Sequence, residues 1–113
     1  MGMKKFGLEQ YNIDRINHVF ELYGQIDQVI IYGSRAIGNY RPGSDIDLSI
    51  KSIGLSFSDL KAVEVKIDDL MLPYKVDISL FHRITDVDLV EHINKVGMVF
   101  YEKKEVDHAT EKE

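Results

Sequence analysis

Gly33-Ser34-Arg35-Ala36-Ile37-Gly38-Asn39-Tyr40-Arg41-Pro42-Gly43-Ser44-Asp45-Ile46-Asp47-Leu48 is the stretch on which the reading of this chain turns. It joins a small, donor-rich turn to a segment that alternates strictly. Ile46, Leu48 and Ile50 face one way and Asp45, Asp47 and Ser49 the other, which predicts a half-buried strand over Asp45 to Ile50. Residues i and i+2 of a strand share a face, about 7 Å apart along the backbone, so Asp45 and Asp47 project together. Two carboxylates placed that way repel unless a cation lies between them, and their hard oxygens suit Mg²⁺ or Mn²⁺.

The turn complements them. Glycine lets the backbone approach an anion closely, and the Ser34 hydroxyl and neighbouring N–H groups can donate to phosphate oxygens. Arg35 and Arg41 stand ready to neutralise charge. No Gly-Lys-Ser/Thr is present, so the turn is not a P-loop.

Working outward, Val29-Ile30-Ile31-Tyr32 predicts a buried strand ahead of the turn. Ile16, Val19, Phe20 and Tyr23 give a helical face, so Leu8 to Tyr23 is expected to be an amphipathic helix stopped at Gly24. A short helical turn is expected within Arg35 to Asn39. Ser56 and Asp59 form a capping-box start for a helix carrying Leu60, Val63, Ile67, Leu70 and Met71, ended by Pro73. Val76 to Leu80 alternates again, with Asp77 and Ser79 on the outward side. Thr85 and Asp88 resemble a further helix start, Gly97 its stop, and Met98 to Tyr101 an edge strand. The fold class is therefore α+β, a small sheet flanked by helices, with one domain over 1–101 and a charged, flexible tail over 102–113.

Bulk properties narrow the function. At 113 residues the chain makes one domain with one core. No apolar run approaches the roughly 18–20 residues of a membrane-spanning helix, and no signal-peptide core is present, so no membrane partner is expected. Without cysteine there is no disulfide framework or thiolate metal site, and a reducing cytoplasm is the expected compartment. A formal net charge of −5 argues against embracing long nucleic acid. It leaves small nucleotides open, since a metal ion can bridge acids to a polyphosphate.

Asp77 makes the acids a set of three. If its strand neighbours that of Asp45 and Asp47, the three carboxylates meet at one spot. Such a triad can hold two metals roughly 3.5–4 Å apart, as in nucleotidyl transfer. Alone, an Asp-x-Asp on a strand is more simply an outer face in water, but aspartate is a poor strand former and a third on a second strand weakens that reading. His18, His82, His92 and His108 show no ligand spacing, and Tyr11 and Tyr23 read as core or interface residues.

With these residues in view, the chain resembles the DNA polymerase beta-like nucleotidyltransferase superfamily. Within it the closest likeness is to the minimal nucleotidyltransferase branch, the MntA-like antitoxins of HEPN/MNT toxin–antitoxin pairs. Arg35-Ala36, Gly38, Arg41, Ser44 and Leu48 match that branch, and Val76-Asp77-Ile78 fits its third acidic position. The resemblance implies a mixed sheet with helices packed on one side, ATP as substrate and two Mg²⁺ (or Mn²⁺) in an open cleft. It implies that Gly33 and Ser34 hold the triphosphate, with Arg35, Arg41 and Ser44 as further nucleotide-binding positions. Asp45 and Asp47 would ligate both metals and Asp77 the catalytic one. It further implies transfer of AMP to a tyrosine of a HEPN ribonuclease partner in a hetero-oligomer. A nucleotide-binding antitoxin that neutralises by occlusion, and a transferase acting on a small molecule, are the alternatives carried alongside it.

Overall fold

A computed structural model describes residues 4–104. The chain opens on a hairpin, β1 (Lys4–Lys5) paired antiparallel with β2 (Leu8–Glu9). Phe6 and Gly7 both take positive φ, 59° and 73°, at its two-residue turn, which is what a tight hairpin turn demands. The helix expected from Leu8 therefore starts later, as α1 (Gln10–Glu21), with Ile13, Ile16, Val19 and Phe20 buried. Tyr23 packs against the core as expected, but Tyr11 is exposed on the helix's outer side, contrary to the core or interface reading.

Four longer strands follow: β3 (Ile26–Tyr32), β4 (Ile46–Ser52), β5 (Val76–Leu80) and β6 (Met98–Glu102). They form one mixed sheet in the order β5-β4-β3-β6, with β4 and β5 parallel and the other pairs antiparallel. A four-residue helical turn, α2 (Ser34–Ile37), follows β3. Helix α3 (Phe57–Asp68) supplies the crossover between the parallel strands, and α4 (Val87–Val96) links a 3-10 turn at Phe81–Arg83 to β6. Glu102, placed in the tail by the sequence, closes β6; the rest of that tail from 105 onward lies outside the described residues.

Local chemistry sets the helix ends. Ser56 and Asp59 form the expected capping box at α3: the Asp59 N–H donates to Ser56 Oγ at 3.0 Å and the Ser56 N–H to Asp59 Oδ2 at 3.1 Å. Yet α3 stops at Asp68, before Pro73. Leu70 and Met71 N–H groups tighten onto Ile67 and Asp68 carbonyls, and Met71 then turns left-handed at φ 56°. At α4 the cap is Asp86 rather than Thr85; its carboxylate accepts from the Asp88 and Leu89 N–H groups.

Helices cover both sheet faces. On one, α1 and α3 bury Val29, Ile31, Ile46, Leu48 and Ile50 in the main core. On the other, Ile93 of α4 packs with Ile30 and Tyr32, flanked by Phe81, Ile84 and Leu89. This corrects the expectation of helices on one side only. The central β3 run Val29-Ile30-Ile31-Tyr32 is apolar at every position because it is buried on both faces. Ser49, read as outward, is fully buried, and the Ser79 hydroxyl donates to it at 3.2 Å.

Candidate active site

Two strands carry Asp47 and Asp77, and a third brings Tyr32 beside them. Tyr32 of β3 pairs with Asp47 of β4, and Asp47 pairs with Asp77 of β5, so the three residues form one row across the sheet. The strands of Asp47 and Asp77 are neighbours, as the triad reading required. Asp45 lies just before β4, which begins at Ile46 rather than Asp45, and it is exposed. Asp77 is also exposed, whereas Asp47 is half-buried.

Burial raises the Asp47 pKa, the carboxylates of Asp77 and Asp45 raise it further, and His92 and Lys75 act in the opposite sense. Asp47 thus feels both of the other acids. A divalent cation fits this donor set chemically, since it supplies the positive charge that the row lacks and prefers carboxylate oxygen. Among the described residues, no three His, Cys, Asp or Glu side chains already close around a single point. The fit therefore rests on the shared row and the mutual repulsion.

The glycine turn meets this row directly. Gly33 adopts φ 75° and ψ −155° at the end of β3, a backbone region essentially closed to other residues. A β-carbon there would stand 2.5 Å from Asp47 Oδ2, so the missing side chain is what lets the carboxylate lie against the turn. Ser34 opens α2 and is half-buried. The two halves of the opening motif are thus in contact.

The loop between α2 and β4 is organised by its own turn. The Ser44 N–H donates to the Arg41 carbonyl at 3.0 Å, and the Arg41 N–H donates to Ser44 Oγ at 2.8 Å. Ser44 is thereby a turn-former, and the Arg41 side chain is exposed. Arg35 departs from the expected place. It is only 2% exposed and spends its donors on backbone carbonyls, so its guanidinium is not presented to a phosphate. Those carbonyls, on Phe6, Pro42 and Ser44, make Arg35 an anchor of the loop.

Sequence reasoning missed the neighbours of the row. Tyr32 lies beside Asp47, and burial raises its pKa. His92 of α4 meets the Tyr32 ring edge-on at 6.1 Å between centroids. Spacing within one element could not reveal them, because strand register and the docking of α4 bring them together. A groove of about 660 Å³ lies between α3 and β5, lined by Lys61, Glu64, Val65, Asp68, Met71 and Lys75. It gathers no comparable set of convergent acids, and the row is the better candidate on chemical grounds.

Comparison with known proteins agrees with this fold. A family model described as Polymerase beta, Nucleotidyltransferase matches residues 14–106. No curated protein is a significant match by sequence. Among solved structures, the chain is similar to a toxin–antitoxin with AMP-PNP, at 16% identity and TM-score 0.65, over 86% of this chain and 76% of that one. It is also similar to a chain of the tri-AMPylated Shewanella oneidensis HEPN toxin in complex with MNT antitoxin, at 14% identity and TM-score 0.62, over 91% and 76%. A mutant MntA–HpeT toxin–antitoxin is similar at 14% identity and TM-score 0.65, over 86% and 76%. At these identities the likeness is one of fold.

Proposed function

The chain belongs to the polymerase beta nucleotidyltransferase family, and from that premise we propose that it moves AMP from ATP to a tyrosine hydroxyl of a HEPN-domain partner. The observation that carries this reading is the Asp47–Asp77 register beside the Gly33 turn, with Asp45 two residues upstream. The partner and acceptor draw support from the fold-level neighbours, one a complex of an AMPylated HEPN toxin with its MNT antitoxin. AMP-PNP in another neighbour supports ATP as the substrate.

In this reading Asp45, Asp47 and Asp77 hold divalent metal, two Mg²⁺ ions or Mn²⁺ in their place. When bound, the metal offsets triphosphate charge and makes the acceptor hydroxyl easier to deprotonate. The Gly33 backbone and Ser34 hydroxyl bind and orient the triphosphate. Asp77, exposed at the open end of the row, takes the acceptor's proton. The acceptor oxygen forms a bond to the α-phosphorus in line with the departing pyrophosphate, so one P–O bond forms as another breaks. Arg41 is proposed as a triphosphate contact, because its side chain is exposed in the loop between α2 and β4; Ser44 shapes that loop.

The test is intact-mass spectrometry of a HEPN partner incubated with the protein, ATP and Mg²⁺. A gain of one or more AMP units is expected, and it should disappear with Asp45→Asn or Asp77→Asn while both variants stay folded. Undiminished transfer by either variant, or silencing of the partner with no mass gain, would sink the proposal.

A further inference from the structure

Arg35 is the largest fully buried side chain among the described residues. Buried arginines are ordinarily paired with an acid. Here every hydrogen bond of the guanidinium goes to a backbone carbonyl. Nη1 donates to Phe6 O at 2.9 Å, Nε and Nη2 to Ser44 O at 3.1 and 2.9 Å, and Nη2 also to Pro42 O at 3.1 Å. Its faces meet the Tyr40 ring at 5.2 Å and the Tyr74 ring at 4.9 Å.

Three separate parts of the chain converge on this one cation, and two of them lead into the acidic row. Ser44 immediately precedes Asp45. Tyr74 precedes Lys75, whose carbonyl accepts the Ile46 N–H at 2.9 Å where β4 and β5 begin to pair. The third part is the hairpin turn. A β-carbon on Gly7 would run into the Tyr40 ring and lie 2.9 Å from Arg35 Nη1, so the bare glycine seats the hairpin against both.

We propose that Arg35, wedged in place by the Phe6-Gly7 turn, is a positioning residue that sets the separation of Asp45 and Asp77. A planar fork with several fixed donors and two stackable faces can tie these segments together; a lysine ammonium cannot. The consequence for metal binding rests on the nucleotidyltransferase reading of the row, whereas the convergence itself does not.

The experiment compares wild type with Arg35→Lys, Gly7→Val and, as a stability control remote from the site, Ser56→Ala. All are measured at a temperature where circular dichroism shows them folded. Amide exchange by NMR is expected to accelerate at Ser44 and Ile46 in the first two variants, with Leu48 unchanged, and at neither site in Ser56→Ala. Mn²⁺ affinity, read from the free-ion EPR signal, is expected to weaken by roughly 10–100-fold in the same two variants, the scale typical of residues that orient ligands. Selective exchange with no Mn²⁺ binding even by wild type keeps the positioning role and overturns the metal reading. Tight Mn²⁺ binding and unchanged exchange in Arg35→Lys and Gly7→Val overturn the positioning role and keep the metal reading.

Discussion

Gly33 is the position where one atom decides most. Its φ of 75° and ψ of −155° suit glycine alone, and a β-carbon would press on Asp47 Oδ2. Gly33→Ala is therefore expected to destabilise the fold by about 1–3 kcal/mol and to displace Asp47. Thermal melting and AMP transfer measured together should both fall. Asp47 itself carries a tension between stability and chemistry. Its pKa is raised in the fold by burial and by the other two acids, so the folded protein binds that proton more tightly than the unfolded chain. Without metal, this stabilisation is full below the unfolded value of 3.8 and is lost as pH rises through the folded value. Asp47→Asn is thus expected to melt higher than wild type in chelator at neutral pH, to lose that advantage at about pH 3, and to lose AMP transfer. A lower neutral-pH melting point in the variant would contradict the electrostatic account.

Among the elements, α3 and α4 make contrasting predictions because they cover opposite faces. Ser56→Ala removes the capping box of α3 and should cost about 1 kcal/mol while leaving transfer kinetics unchanged, since α3 packs on the core face. Ile93→Ala in α4 removes the side chain wedged between Ile30 and Tyr32. Denaturant unfolding should report a loss of about 2–5 kcal/mol, and transfer should fall because the row loses its cover. Much of this was legible. The alternation of Val76 to Leu80 marks β5 at its true ends, and Ser56 with Asp59 marks the start of α3. The hairpin was not, because two-residue strands leave no period to read and Leu8 also fits the helical face of α1. The end of α3 was missed because Pro73 limits how far a helix can run, not where it stops.

Across the whole molecule, the net charge of −5 sets an expectation for nucleic acid: fluorescence anisotropy with a random duplex at about 150 mM salt should show no binding. The candidate site was legible in its parts, since Asp45, Asp47, Asp77 and the Gly33 turn are all visible in the sequence. Their assembly was not, because the pairing of Asp47 with Asp77 depends on strand order, and strand order is a tertiary fact. Alternation likewise separates two faces without saying which is covered, which is why Ser49 is buried and Arg35 lies inside rather than in the cleft. The parallel pairing of β4 with β5 has a last consequence, in time. On a ribosome Asp45 and Asp47 emerge some thirty residues ahead of Asp77, and the glycine turn earlier still, a gap of a few seconds at about 5–20 residues per second. A nascent chain ending before Val76 carries the turn and two acids without the third, so the pairing of Asp47 with Asp77 forms only when synthesis has passed β5 and the crossover has folded back.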